Sequence, residues 1–314
     1  MTVRVTRPIQ RLTTIIDLPG GRTKPTALES AHGGIRGMKD QVAEVLRQKL
    51  RDIVLALIPG EPGHTDPSDP QRASRLDEAY RKADDVNSLA GMIGFGQIGE
   101  VMLLLCDLLQ PAGAKGWVHP MAVETYRLCA RRMEPLTGLG DLTEVISALR
   151  SLNAACARWA GDFEPPANPI CQFVYTSVST LHGDAFEDAT VKILEHAIGR
   201  NHKLGLTGML AADDGWYLQC VQGSPEAVAI LVDALLFDRR HRAMRTISVR
   251  LAPERSFAEW GMCFRRLGPL HEAILARTRG KLALQNLSET AALDLLQTIA
   301  ATARLAQLSP TLKL

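Results

Sequence analysis

CQFVYTSVSTLHGDAFEDATVKILEHAIGRNHKLGLTGMLAADDGWYLQCVQGSPEAVAILVDALLFD, residues 171–238, decides the fold. Its opening stretch, CQFVYTSVS, is β-branched and aromatic and reads as a strand. The period then changes: over residues 184–200, Phe186, Ala189, Ile193, Ala197 and Ile198 fall on one side of a helix. Leu206–Ala211 and Trp216–Val221 read as two strands around Asp213-Asp214-Gly215, a turn in which glycine takes positive φ at little cost. Ser224-Pro225-Glu226 supplies an N-cap, a proline at the first helical position and an acid in the first turn of a helix running to about Asp238. Strands at about 244–251 and 258–264 complete the order βαββαββ, whose first six elements match a ferredoxin-like sheet with two helices on one face.

Upstream, the pattern is helical. Residues 1–37, rich in Gly, Pro, Thr and Arg, read as a flexible or loosely packed lead-in. Val42, Val45, Leu46, Leu50, Ile53, Val54 and Leu57 make an apolar stripe that Pro59-Gly60 ends, and further amphipathic runs cover roughly 72–88, 95–109, 119–133 and 141–160. Residues 38–160 are therefore predicted to form an all-α bundle. GDFEPPANP, 161–169, reads as a linker to the sheet domain at 170–264, and 265–314 as C-terminal helices that cap it or carry output. The fold class is α+β.

The chain has 314 residues, enough for about two domains. Its 36 basic and 34 acidic residues leave a net charge of +2 with no long basic run, which gives no reason to expect nucleic acid. Six scattered cysteines without a Cys-x-x-Cys pair read as reduced and buried, and no metal site is predicted. Without a long apolar run, the expectation is a cytoplasmic protein with no membrane span. No GGDEF, EAL or P-loop string is present, so the chain is expected not to be an enzyme and to act through another protein.

Five short motifs fall in order on these elements: YTS at 175–177, Asn201 followed by LTG at 206–208, GWYLQ at 215–219 with a glycine after it, DRRH at 238–241 and RSFAEWGM at 255–262. Taken singly, Tyr175, Trp260 and each apolar position would be ordinary core, and His241 an ordinary surface histidine. Together they resemble the BLUF family of flavin-dependent blue-light sensors. The resemblance implies a bound flavin, FAD with FMN or riboflavin as other forms, and assigns residues to it. Tyr175 stands at the redox-active tyrosine, Gln219 at the switching glutamine and Asn201, at the mouth of the second strand, at the asparagine bonding the ring edge. Trp260 and Met262 match the pair that exports the signal, and Asp238, Arg240 and His241 the ribityl and phosphate side. Ile193 and Ile198 on the first helix, with Leu231 and Leu235 on the second, are the expected ring walls.

The residue types suit the chemistry. A phenol can give an excited flavin an electron and a proton, and an amide, donor at one end and acceptor at the other, can exchange partners while staying bonded. Four positions depart from the family pattern. Arg200 precedes the asparagine and could bond a ring carbonyl, Ala197-Ile198 replaces a common Ser-Arg, and Gln222 replaces a Glu.

ADDVNSLAGMIGFGQIGEV, residues 83–101, faintly resembles the signature region of histidine phosphotransfer bundles. Asn87 would stand at the phosphorylatable histidine and Ala90 at its lysine neighbour, so such a bundle would only dock or dimerise; an unrelated bundle is the other reading. The resulting expectation is a light-regulated binding protein with a downstream signalling partner, homodimerisation being left open. The alternative is a ferredoxin-like flavin enzyme with ground-state redox activity.

Overall fold

The structure is a computed structural model that describes residues 24–58, 70–115, 118–159, 169–213, 215–258, 263–266 and 287–308. The N-terminal half comprises α1 (Lys24–Ala56), α2 (Pro70–Ala90), α3 (Gly96–Lys115), α4 (Pro120–Met133) and α5 (Thr143–Trp159), with a short 3₁₀ turn, Gly91–Ile93, before α3. α1 starts inside the expected lead-in, because Pro25 falls in its first turn, where a missing N–H costs no intrahelical bond; residues 1–23 lie outside the described ones. Leu46, Leu50, Ile53 and Leu57 of the first stripe are buried, at helical spacing, against Ala79, Ala83, Val86 and Ala90 of α2 and Ile98, Met102 and Leu105 of α3. Val45, counted in that stripe, is exposed. The stretch 83–101 spans the corner between α2 and α3.

The expected linker, 161–169, lies outside the described residues except for Pro169. Beyond it come β1 (Ile170–Ser179), α6 (Asp184–Lys203), β2 (Thr207–Asp213), β3 (Trp216–Gly223), α7 (Pro225–Leu236), β4 (His241–Ala252), β5 (Cys263–Arg266) and α8 (Glu289–Leu308). The sheet order is β4-β1-β3-β2-β5. The first four strands are antiparallel, as a ferredoxin-like sheet requires, and β5 adds a parallel edge beside β2. β5 begins later than the expected 258–264, and residues 259–262 and 267–286 lie outside the described ones.

Strand alternation divides the sheet into two faces. Phe173, Tyr175, Tyr217, Gln219 and Val221 face α6 and α7, while Val174, Met209, Leu218, Cys220 and Ile247 pack with Leu295, Leu296 and Ile299 of α8. Two motif glycines follow from close approach. A Cβ at Gly208 would stand 2.2 Å from the Cys220 carbonyl oxygen, and one at Gly223 would stand 2.4 Å from Leu206 Cδ2. The bundle packs directly on this domain, α4 against α7 and α5 along β4. Cys106, Cys129, Cys156, Cys171 and Cys220 are buried free thiols. Among the described residues, no helix is long and apolar enough to cross a membrane.

Candidate functional site

β1 and β3 are neighbours in a register that places Tyr175 directly opposite Gln219. Both side chains project from the face covered by α6 and α7, and the Tyr175 hydroxyl donates to Gln219 Oε1 at 2.5 Å. Tyr175 is 3% exposed and stacks on Phe173, with centroids 5.5 Å apart. Burial raises the Tyr175 phenol well above its ordinary range, with Arg200 opposing the shift by its charge. The hydroxyl therefore keeps its proton at any physiological pH.

Between the sheet and its two helices lies a cavity of about 410 Å³, which Tyr175 and Gln219 line from below. The volume is within the range of small-molecule sites, roughly 300–1,000 Å³. The spacing along α6 brings Ile193, Ala197, Arg200 and Asn201 to the cavity, at i, i+4, i+7 and i+8. Ser224 caps α7 by accepting from the Ala227 N–H at 3.2 Å, Pro225 fills the first position, and Leu231 and Leu235 then face the cavity one turn apart.

Asn201 is 0% exposed, and neither its Oδ1 nor its Nδ2 has a partner. Leaving an amide buried and unpaired costs on the order of 1–3 kcal/mol, so this position demands a ligand that offers a donor and an acceptor side by side. His241 also lines the cavity with both ring nitrogens unpaired; burial holds its pKa below the ordinary value, with Asp238 opposing that shift. At the same end, Arg240 donates to Asp238 from Nε at 2.9 Å and from Nη2 at 2.5 Å. Burial pulls the Asp238 carboxyl up, but these bonds outweigh it and hold the group below the usual range.

An apolar slot with one polar edge and the Arg240–Asp238 pair and His241 at its mouth fits a flat heteroaromatic ring carrying a polar tail. Residues 170–263 match the family described as "BLUF: Sensors of blue-light using FAD". This segment is a BLUF domain. It senses blue light with a bound flavin. Among solved structures the chain is similar to the ground state of BlsA at 22% identity, covering 41% of this chain and 87% of that one with a TM-score of 0.38. It is similar to the dark state of BlrB at 24%, covering 43% and 98% with a TM-score of 0.37. The Klebsiella pneumoniae protein BlrP1 with FMN and cyclic diGMP is 21% identical, over 42% of this chain and 34% of that one, with a TM-score of 0.31. No curated protein matches the chain.

Within the BLUF domain, the structure brings Tyr175, Gln219, Asn201, Ile193, Arg200, Leu231, Leu235, Asp238, Arg240 and His241 to one cavity. Ile198 is a correction: it is 51% exposed, because the position after Ala197 lies about 100° further round the helix. Asn201 sits in the last turn of α6 rather than at the start of β2. Gln222 does not line the cavity; it is fully buried on β3 and its Oε1 accepts from the Phe257 N–H at 2.8 Å. Arg255, in the last motif, donates to Thr207 Oγ1, the Gln222 carbonyl and the Gly205 carbonyl, which makes it a tie between strands. Trp260 and Met262 lie outside the described residues.

Sequence reading missed Ser177 and Tyr217, which also line the cavity. Each is two residues from a recognised partner, Tyr175 or Gln219, so the strand period alone placed them on the same face. Tyr217 is itself fixed, its hydroxyl sharing a hydrogen bond with Thr190 Oγ1 at 3.0 Å and its ring tilted against Phe186.

Proposed function

We propose that the chain is a cytoplasmic blue-light receptor whose BLUF domain holds FAD and whose output is an altered interaction with another protein. The observation that carries this reading is the 2.5 Å bond from Tyr175 to Gln219 at the edge of a cavity in which the Asn201 amide has no partner. Asn201 and Arg200 hold the polar edge of the ring, and Ile193, Leu231 and Leu235 form its apolar walls. Arg240, kept in place by Asp238, and His241 face the ribityl and phosphate side.

Bound there, the flavin supplies, on excitation, an oxidant strong enough to draw an electron from a phenol. Tyr175 releases that electron together with its phenolic proton, since burial disfavours a lone phenolate, and later takes both back. Gln219 starts with its acceptor oxygen toward Tyr175. Rotation or tautomerisation of its amide exchanges the donor and acceptor ends, so the light event is stored as a different bond pattern. Trp260 and Met262, by resemblance, carry part of the change outward. The helical bundle and the C-terminal helices provide surface for output.

The decisive experiment is an absorption spectrum before, during and after blue illumination. The purified protein should be yellow, and its visible bands should shift reversibly to the red. A colourless preparation, or one bleached by NAD(P)H and unmoved by light, would overturn the reading in favour of ground-state redox chemistry.

A further inference from the structure

One helix wall of the flavin cavity, α7, and the strand β4 at the edge of its floor are both held from outside the BLUF domain. Arg132 of α4 pairs with Asp233 of α7 and lies over the Phe237 ring, 4.5 Å from its centroid. α7 is the helix that offers Leu231 and Leu235 to the cavity.

On the other side, α5 runs along β4, whose outer edge has no neighbouring strand among the described residues. An edge strand leaves backbone groups that need partners, and side chains of α5 provide them. Glu144 Oε2 accepts from the Ala243 N–H at 2.7 Å, Ser151 Oγ accepts from the Thr246 N–H at 2.9 Å, and Arg158 Nη2 donates to the Ile247 carbonyl at 2.8 Å.

These bonds fall where β4 departs from regular pairing. Its register against β1 shifts between Val174 and Tyr175 and again between Thr176 and Val178. Ala243 has φ 50°, a left-handed conformation that an alanine adopts only under constraint. In the same stretch, Tyr175 is opposite Gln219 on β3 and opposite Thr246 on β4. One transverse row of the sheet therefore runs from the glutamine through the tyrosine to Thr246 and ends on Ser151 of the bundle.

We propose that Glu144 and Ser151 are positioning residues for the Tyr175–Gln219 pair, and that the N-terminal bundle is the in-chain partner that reads the light state through β4. The proposal rests on the light-sensing reading above and extends it to a specific output path. A change in the Gln219 bond pattern displaces β1 against β4, and the edge amides held by α5 feel it one strand away. Coupling of this kind is reciprocal, so the α5 bonds also set the relative stability of the lit and dark states.

The test uses the full chain loaded with flavin. Hydrogen exchange of the Ala243 and Thr246 amides should differ between darkness and blue light by about threefold or more, and Gln219→Leu should remove that difference. Glu144→Ala and Ser151→Ala should each change the rate of return from the red-shifted state by about threefold to tenfold, the size expected for one lost hydrogen bond. Glu144→Gln, which keeps an acceptor oxygen, should return within about twofold of the parent rate. A merely structural role would move thermal stability but neither the light–dark exchange difference nor the recovery rate. If the parent red-shifts, while β4 exchange is the same in both states and the variants recover at the parent rate, the proposal is overturned and the light-sensing reading stands. A parent that never red-shifts overturns both.

Discussion

Two buried tyrosines in this chain make the same bond in different surroundings. In the helical bundle, the Tyr126 hydroxyl donates to Asn153 Oδ1 at 3.0 Å, and Asn153 Nδ2 donates in turn to the Leu104 carbonyl at 2.7 Å. In the BLUF domain, the Tyr175 hydroxyl donates to Gln219 Oε1 at 2.5 Å. Burial raises both phenols above their ordinary range. What differs is the setting of the amide. Asn153 sits among packed side chains, whereas Gln219 lines a cavity of about 410 Å³ beside the unpaired amide of Asn201. A tyrosine–amide pair is by itself a structural device; bordering a cavity of unsatisfied polar groups, it becomes one that an occupant can rearrange.

Removing each pair in turn is the hardest blow to that contrast. Gln219→Leu should abolish the light-induced red shift, and Tyr175→Phe should abolish or nearly abolish it. Tyr126→Phe should keep the shift and instead cost about 1–3 kcal/mol of stability in urea denaturation, because Asn153 loses its buried donor. A red shift surviving in Gln219→Leu, or lost in Tyr126→Phe with flavin still bound, would erase the distinction.

The two asparagines sharpen it further, since their replacement should act with opposite sign on the flavin-free protein. Asn153→Leu strips partners from Tyr126 and from the Leu104 carbonyl and should destabilise. Asn201→Leu removes an amide that is buried without a partner, so the flavin-free protein should be as stable or more so, while flavin affinity falls about tenfold to hundredfold. Thermal unfolding with and without added flavin, alongside a flavin titration, reads both quantities.

Most of this domain was legible in the sequence because its information is local. Alternation in β1 and β3 gave the strands, Ser224-Pro225 gave the start of α7, and five motifs in order gave the cavity's principal residues. The failures share one cause, which is that a face is set by what packs on it. Ile198 and Val45 are apolar at plausible helical positions, yet each is turned outward. Two residues to which the motifs gave no role serve backbone groups: Gln222 accepts from the Phe257 N–H, and Arg255 ties β2 to β3. The side chains by which α5 covers β4 carried no signal at all: Glu144, Ser151 and Arg158 are polar residues on an amphipathic helix, and their partners are backbone groups about a hundred residues away.

Histidines extend the comparison between the two regions. His119, at the N-cap of α4 in the bundle, is 1% exposed, and burial lowers its pKa to about 3. The folded state thus holds the imidazole neutral, while the unfolded chain takes up a proton below its ordinary value of 6.5. The stability this neutrality provides is present above pH 6.5 and is lost as pH falls from there toward the folded pKa, about 3. By pH 5 the parent should have lost about 2 kcal/mol that His119→Gln does not lose. Equal acid sensitivity in the two proteins would place the titration elsewhere.

The smallest expected effect lies on α6, where two isoleucines five residues apart separate inside from outside. Ile193 faces the cavity and packs beside Phe186, Leu210 and Tyr217, so Ile193→Ser should weaken flavin binding by exposing part of an apolar wall. Ile198 is half in water already, and Ile198→Ser should change stability by less than about 0.5 kcal/mol and leave the flavin affinity where it was. If Ile198→Ser weakened flavin binding as much as Ile193→Ser, the helix would have to rotate by most of a quarter turn when the flavin enters. That rotation would carry Ile193 and Arg200 out of the cavity, while Asn201, which lies between Ile193 and Ile198 around the helix, would stay in it.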